Sequence, residues 1–173
     1  MEPAEFLPRY TIDDLDRFQD RFELWDGRLV ARTPRPFNKH QQLAMALTRH
    51  LLAELDAAGC GDCGLLAEPE WVISRDMSVI PDLALVCGEV PETFLNRAPE
   101  LIIEVLSDST HLKDRNLKRG LYADQGVDAY LLADPKTGRL EPMFGGEVVQ
   151  GDCGEAFRVS AHAGCELKLP MQM

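Results

Sequence analysis

Two apolar runs, SVIPDLALV (Ser78–Val86) and LIIEVL (Leu101–Leu106), each carry one carboxylate among side chains that belong inside a sheet. Asp82 interrupts the first run and Glu104 the second. Burying a carboxylate is costly unless a positive charge or a set of hydrogen bonds compensates. Any fold for this chain must bury both strands and still give each acid a partner. Strands in register would bring the acids to one end of the sheet. If both point to one face, they repel at short range, and a divalent cation resolves that repulsion. The structural alternative is that Asp82 caps a bulge and Glu104 pairs with an arginine from a covering helix.

The remaining pattern surrounds these strands with helices. Thr11 can cap a short helix to Asp20, with two acids in its first turn. FELWDGRLVAR reads as a hairpin turning at Asp26-Gly27. After Pro34 and Pro36, Asn38 can cap a long helix to about Ala58, with Leu43, Leu47, Leu51 and Leu55 as its core stripe. Strands follow at Glu70–Ser74, Ser78–Val86 and Glu100–Leu106, the last two at the sheet centre. Pro81 removes a ladder donor, which predicts a bulge or an edge at that point. A helix capped by Asp108 or Thr110 runs to about Gln125 and ends at Gly126. DAYLLADP is a further strand, and shorter ones lie near Leu140, Val148 and Phe157. The order predicts an α/β (α+β) fold on a mixed sheet.

At 173 residues the chain fits a single domain spanning 1–173. No apolar run approaches the roughly 20 residues of a membrane span. The N-terminal MEPAEFLPRY lacks the basic and apolar regions of a signal peptide, so a cytoplasmic protein made in a reducing compartment is expected. Five cysteines, an odd count, argue against a complete disulfide framework. Cys60 and Cys63 form a C-x-x-C without the second spaced pair of a zinc site; the simplest reading is a glycine-rich loop.

The net charge of −11 argues against a protein that coats nucleic acid. Its distribution is uneven: Arg28, Arg32, Arg35, Lys39 and Arg49 occupy a stretch with no acid. A second cluster comprises His111, Lys113, Arg115, Lys118 and Arg119, with Asp114 as its one acid. Such clusters serve either as solvated faces or as phosphate contacts. Asp114, Lys118 and Tyr122 share one helix face by spacing. A strand feeding that helix would return Lys118 towards Glu104; the plainer alternative is a surface Asp114–Lys118 pair.

Taken in order, several of these residues resemble a known family. Pro81-Asp82, Glu104-Val105-Leu106-Ser107 after Pro99, Asp114-x-x-x-Lys118-x-x-x-Tyr122, Gly126-Val127 and a strand ending Asp134-Pro135 resemble the Uma2 (Uma-two) family. That family groups restriction-endonuclease-type proteins of the PD-(D/E)XK nuclease superfamily. Phe22-Glu23, Asp26-Gly27 and His40 are similar to its N-terminal half, and the likeness runs to about Glu141. It implies a restriction-endonuclease-like core with a central mixed sheet flanked by helices. It also implies a Mg²⁺-dependent endonuclease acting on phosphodiester bonds, most naturally those of DNA. Asp82, Glu104 and the main-chain carbonyl of Val105 would hold the ion, and Mn²⁺ would substitute for it. Lys118 would orient water or stabilise charge on the phosphate, and Glu23 would contact a second ion or a metal-bound water. The superfamily's Glu-x-Lys is broken here by Leu106, and Lys118 on the next helix is the matching lysine. His40 is expected beyond the ligand shell, or on a phosphate.

No helix rich in base-reading side chains stands out, so the basic residues are expected to track phosphates without reading sequence. Cutting both strands of a duplex needs two sites, which predicts a homodimer. Two other classes compete. One is a catalytically inactive nuclease-fold protein acting as a nucleic-acid-binding or regulatory partner. The other is a small metal or redox protein built on Cys60 and Cys63.

Overall fold

The structure, a computed structural model, describes residues 8–31, 38–107, 113–151, 154–161 and 164–173. The first helix, α1 (Ile12–Leu15), is shorter than the sequence predicts. Phe18 leaves it to pack edge-on between Tyr10 and Phe22, which rewards a turn at that point. Strands β1 (Phe22–Trp25) and β2 (Arg28–Ala31) form the expected hairpin. Asp26 and Gly27 both take positive φ, as a tight primed turn demands. Helix α2 (Asn38–Ala58) has the predicted bounds and buries Leu43, Leu47, Leu51 and Leu55.

Beyond α2 lie β3 (Cys63–Ala67), β4 (Trp71–Ser74), β5 (Met77–Val79), β6 (Leu83–Cys87) and β7 (Leu101–Val105). A π-helical turn (Lys113–Lys118) then runs into α3 (Arg119–Asp124). The N-terminus predicted for this helix, at Asp108 or Thr110, falls outside the described residues. The chain finishes with β8 (Ala129–Ala133), β9 (Leu140–Phe144), β10 (Glu147–Gly151), β11 (Gly154–Ala161) and β12 (Cys165–Pro170). Strands β3 and β12 are additions to the sequence reading.

The central sheet has the order β3-β6-β7-β8-β9, with β7 and β8 parallel and the other pairs antiparallel. The fold is therefore α+β around a mixed sheet, as expected. The run SVIPDLALV, read as one strand, is two. Its first part, β5, joins the antiparallel sheet β2-β1-β5-β4, and its second part, β6, enters the central sheet. Ile80, Pro81 and Asp82 make the crossing. Pro81 cannot continue a ladder, so the break it predicts separates two sheets.

Two apolar layers cover the central sheet. On one face, the α2 leucines pack with Leu83, Leu85, Leu101, Ile103 and Val105 and with the inner side of the third sheet, β10-β11-β12. On the other, Ala84, Val86, Ile102 and Leu106 pack with Trp71, Val79, Tyr122 and Tyr130. Helix α2 also satisfies backbone groups of β12: His50 Nε2 lies 2.8 Å from the Lys168 carbonyl, and the Lys168 N–H donates to Glu54.

The cysteines depart from the sequence reading. Cys60 is joined to Cys165 and Cys63 to Cys87, so the two members of the C-x-x-C take different distant partners. This leaves no C-x-x-C dithiol for the metal or redox alternative. Cys153 lies outside the described residues. Among the described residues, no helix is long and apolar enough to cross a membrane.

Candidate active site

The last pair recorded between β6 and β7 is Leu83↔Ile103, and one further step sets Asp82 across from Glu104. The two lone acids therefore lie at the same end of the central sheet, where β7 ends and Asp82 bonds the residue after Glu104. Both are buried, as are Glu23 on β1 and Lys118 at the end of the π-helical turn that leads into α3. Four buried ionisable side chains are costly unless each is paired.

Glu104 alternates with Ile102 and Leu106 on the layer that holds Tyr122. Its Oε1 accepts two hydrogen bonds of 2.7 Å, one from Lys118 Nζ and one from Tyr122 OH. Lys118 and Tyr122 are i, i+4, so one helix face delivers both donors. The lysine Nζ also lies 3.1 Å from Glu23 Oε1, and its charge is shared between two carboxylates. Glu23 is held in turn by Trp25 Nε1 on its Oε2 at 3.0 Å and by the Ile80 N–H on its Oε1 at 3.3 Å. Glu23 and Trp25 share a strand face because they are two residues apart. These contacts run from the β1 hairpin through Lys118 to α3, and the residue at their middle is the charged amine.

Asp82 is stabilised differently. Its Oδ2 accepts the Val105 N–H at 2.8 Å and lies 3.3 Å from His40 Nε2. The carboxylate thereby satisfies a backbone donor at the end of β7. Burial alone would push the Asp82 carboxyl up. The hydrogen bond and charge of His40, the Val105 N–H and the charge of Lys118 outweigh burial and bring it below the ordinary carboxylate value. The Tyr122 phenol moves the other way: burial, and then the Glu104 charge, push it well above its usual range, so it remains a donor.

The sequence-based site residues Glu23, Asp82, Glu104, Val105 and Lys118 thus converge. Lys118 reaches Glu104 across the layer, rather than pairing only with a neighbour on its own helix. The Asp114 side chain lies outside the described residues. His40 reaches Asp82 from the N-terminal turn of α2. What the sequence reading missed is the part played by Tyr122 and Trp25. The sequence puts Tyr122 on the Lys118 face without naming its partner, and the i, i+2 spacing of Glu23 and Trp25 is the available sign of the other pair.

Among the described residues, no three His, Cys, Asp or Glu side chains form a ready-made metal cage. Mg²⁺ does not require one: it is commonly bound by one or two carboxylates, with the remaining positions taken by water and substrate phosphate. Asp82 and Glu104, hard oxygen donors at facing register positions, suit that ion and not a thiophilic one. The flanking basic residues divide by role. Arg115 is engaged by Glu141 through two contacts of 2.6 Å, whereas Arg28, Lys39, Arg49 and Arg119 are exposed. Arg32, Arg35 and His111 lie outside the described residues, as does the side chain of Lys113.

A family model described as "Putative restriction endonuclease", Uma2, matches residues 4–156, and the chain belongs to that family. Among solved structures, it is similar to a putative nuclease belonging to DUF820 from Anabaena variabilis. The identity is 19% and the TM-score 0.62, over 75% of this chain and 76% of that one, a likeness of fold. No curated protein sequence matches the chain.

Proposed function

With membership of the Uma2 family as the premise, we propose that this chain is a metal-dependent endonuclease that hydrolyses phosphodiester bonds, in DNA before other nucleic acids. The observation that carries the reading is the placing of Asp82 and Glu104 at the same end of the central sheet, Asp82 on the Val105 N–H and the buried Lys118 ammonium against Glu104. Asp82, Glu104 and the Val105 carbonyl would hold Mg²⁺, and Mn²⁺ would substitute. When bound, that ion polarises a phosphate and lowers the pKa of a coordinated water.

The protein's own groups do the rest. The Val105 N–H and His40 keep Asp82 ionised and oriented. Lys118 supplies a fixed positive charge, placed to stabilise negative charge developing on the phosphate or to orient the attacking water. Glu23, backed by Trp25 and the Ile80 N–H, holds that amine in position. Exposed Arg28, Lys39, Arg49 and Arg119 give an acidic protein local phosphate contacts without base reading. Double-strand cleavage calls for two such centres, and a homodimer supplies them.

The test is plasmid cleavage in Mg²⁺ together with calorimetric titration of Mn²⁺. Asp82→Asn and Glu104→Gln are expected to abolish cleavage while the fold persists. Lys118→Ala is expected to lower turnover with little change in Mn²⁺ affinity. Full cleavage by either carboxylate variant would refute the assignment. A wild-type chain that binds no Mn²⁺ at millimolar concentration would favour the inactive nuclease-fold alternative.

A further inference from the structure

Tyr122 is fully buried, and its ring is fixed on two sides. It stacks on Trp71 with centroids 5.9 Å apart and meets Tyr130 edge-on at 5.0 Å. Neither contact uses the hydroxyl, which donates to Glu104 Oε1 at 2.7 Å. A phenol is protonated at neutral pH, so it presents a donor that carries no charge. Lys118, four residues earlier, donates to the same oxygen. The two donors are not equivalent, however. The amine ends a flexible stem and is shared with Glu23, whereas the phenol is rigid and has a packed ring behind it.

A carboxylate held at one oxygen by a rigid donor has fewer orientations open to it, which narrows the directions its lone pairs can take. Carboxylates that bind metal are tuned by such partners, and losing one typically costs about 10- to 100-fold in metal affinity or activity. We propose that Tyr122 is a positioning residue that fixes the Glu104 carboxylate for the divalent cation; this rests on the metal-dependent reading above. Tyr122 touches no reacting atom. It acts through Glu104, and the Trp71–Tyr122–Tyr130 ring cluster is its support.

Tyr122→Phe keeps the ring and removes one oxygen. In calorimetric titration of the full-length chain with MnCl₂, the variant is expected to bind about 10- to 100-fold more weakly than wild type. Phe144→Leu, which disturbs Tyr130 in the same aromatic layer one ring removed from Tyr122 and removes no donor to Glu104, is expected to stay within about twofold of wild type. As a second measurement, saturating Mn²⁺ is expected to restore plasmid cleavage to Tyr122→Phe and not to Glu104→Gln. Equal Mn²⁺ affinity in Tyr122→Phe and wild type would overturn the positioning role and leave the nuclease reading standing. An equal loss in Phe144→Leu, or no recovery of Tyr122→Phe at saturation, would overturn it in favour of plain packing. A wild-type chain that binds no Mn²⁺ would overturn the metal-dependent reading itself.

Discussion

Asp82 and Glu104 are both buried acids, but they are compensated by different means, and the difference governs how the protein responds to pH. Asp82 is ionised in the fold at lower pH than in the unfolded chain, because its hydrogen bonds and nearby charges outweigh its burial. A depressed folded-state pKa contributes stability that is present above the unfolded value of 3.8 and is lost as pH falls through the lower folded value. Urea unfolding midpoints followed from about pH 5 to about pH 2 should therefore fall more steeply for wild type than for Asp82→Asn. Parallel curves would mean that Asp82 is not held as an anion. The need for compensation was legible in the sequence, since an acid in an apolar strand demands a partner. That Glu104 finds Lys118 was legible too, because the helix follows the strand directly. The Tyr122 contact was not, because it depends on how deep the ring sits against the sheet.

At the level of elements, legibility followed periodicity. The leucines of α2 recur every fourth residue, and the helix buries the stripe that spacing predicts, between the bounds that the preceding prolines and Asn38 suggest. SVIPDLALV has no period that reports a change of sheet, so a continuous strand was the natural reading. Only Pro81 marked the break, and a proline does not say whether it bends a strand or separates two. The division matters for function, because the crossing places the Ile80 N–H beside Glu23 and Asp82 beside the end of β7. Helix α2 is what holds the far side of this arrangement and brings His40 to Asp82. Leu47 is fully buried in its stripe, while Met45, two residues away, is 74% exposed. Leu47→Ala should cost about 2–5 kcal/mol in urea unfolding. Met45→Ala should stay within about 0.5 kcal/mol of wild type. A comparable loss from both would mean that α2 is not seated by this stripe.

For the whole molecule, the central sheet and the join between α2 and the C-terminal sheet are held partly by covalent links that no local pattern could reveal. Cysteine pairing is a tertiary property, and counting or spacing leaves the connectivity open. Cys60 lies in the turn after α2, beside β12, whereas Cys63 begins β3 directly opposite Cys87 on β6. Two cysteines three residues apart thus diverge to opposite neighbours. The Cys60–Cys165 bond spans 105 residues and ties α2 to the C-terminal sheet. Such a link constrains the unfolded chain strongly, so Cys165→Ser should cost about 2–5 kcal/mol in oxidised protein. In a thiol-containing buffer the wild-type link opens, and the two proteins should unfold at the same urea concentration. A persistent gap under reducing conditions would trace the loss to packing around the buried Cys165. Disulfides persist in oxidising surroundings, so in a reducing compartment the join between α2 and the C-terminal sheet must rest on the α2 leucines and the inner face of β10-β11-β12. Cys87 closes β6 at the end of the strand away from Asp82, and Cys60 follows the end of α2 away from His40. Reduction should therefore lower stability yet leave plasmid cleavage by folded protein unchanged; a loss of cleavage well below the unfolding transition would couple the covalent links to the acid pair.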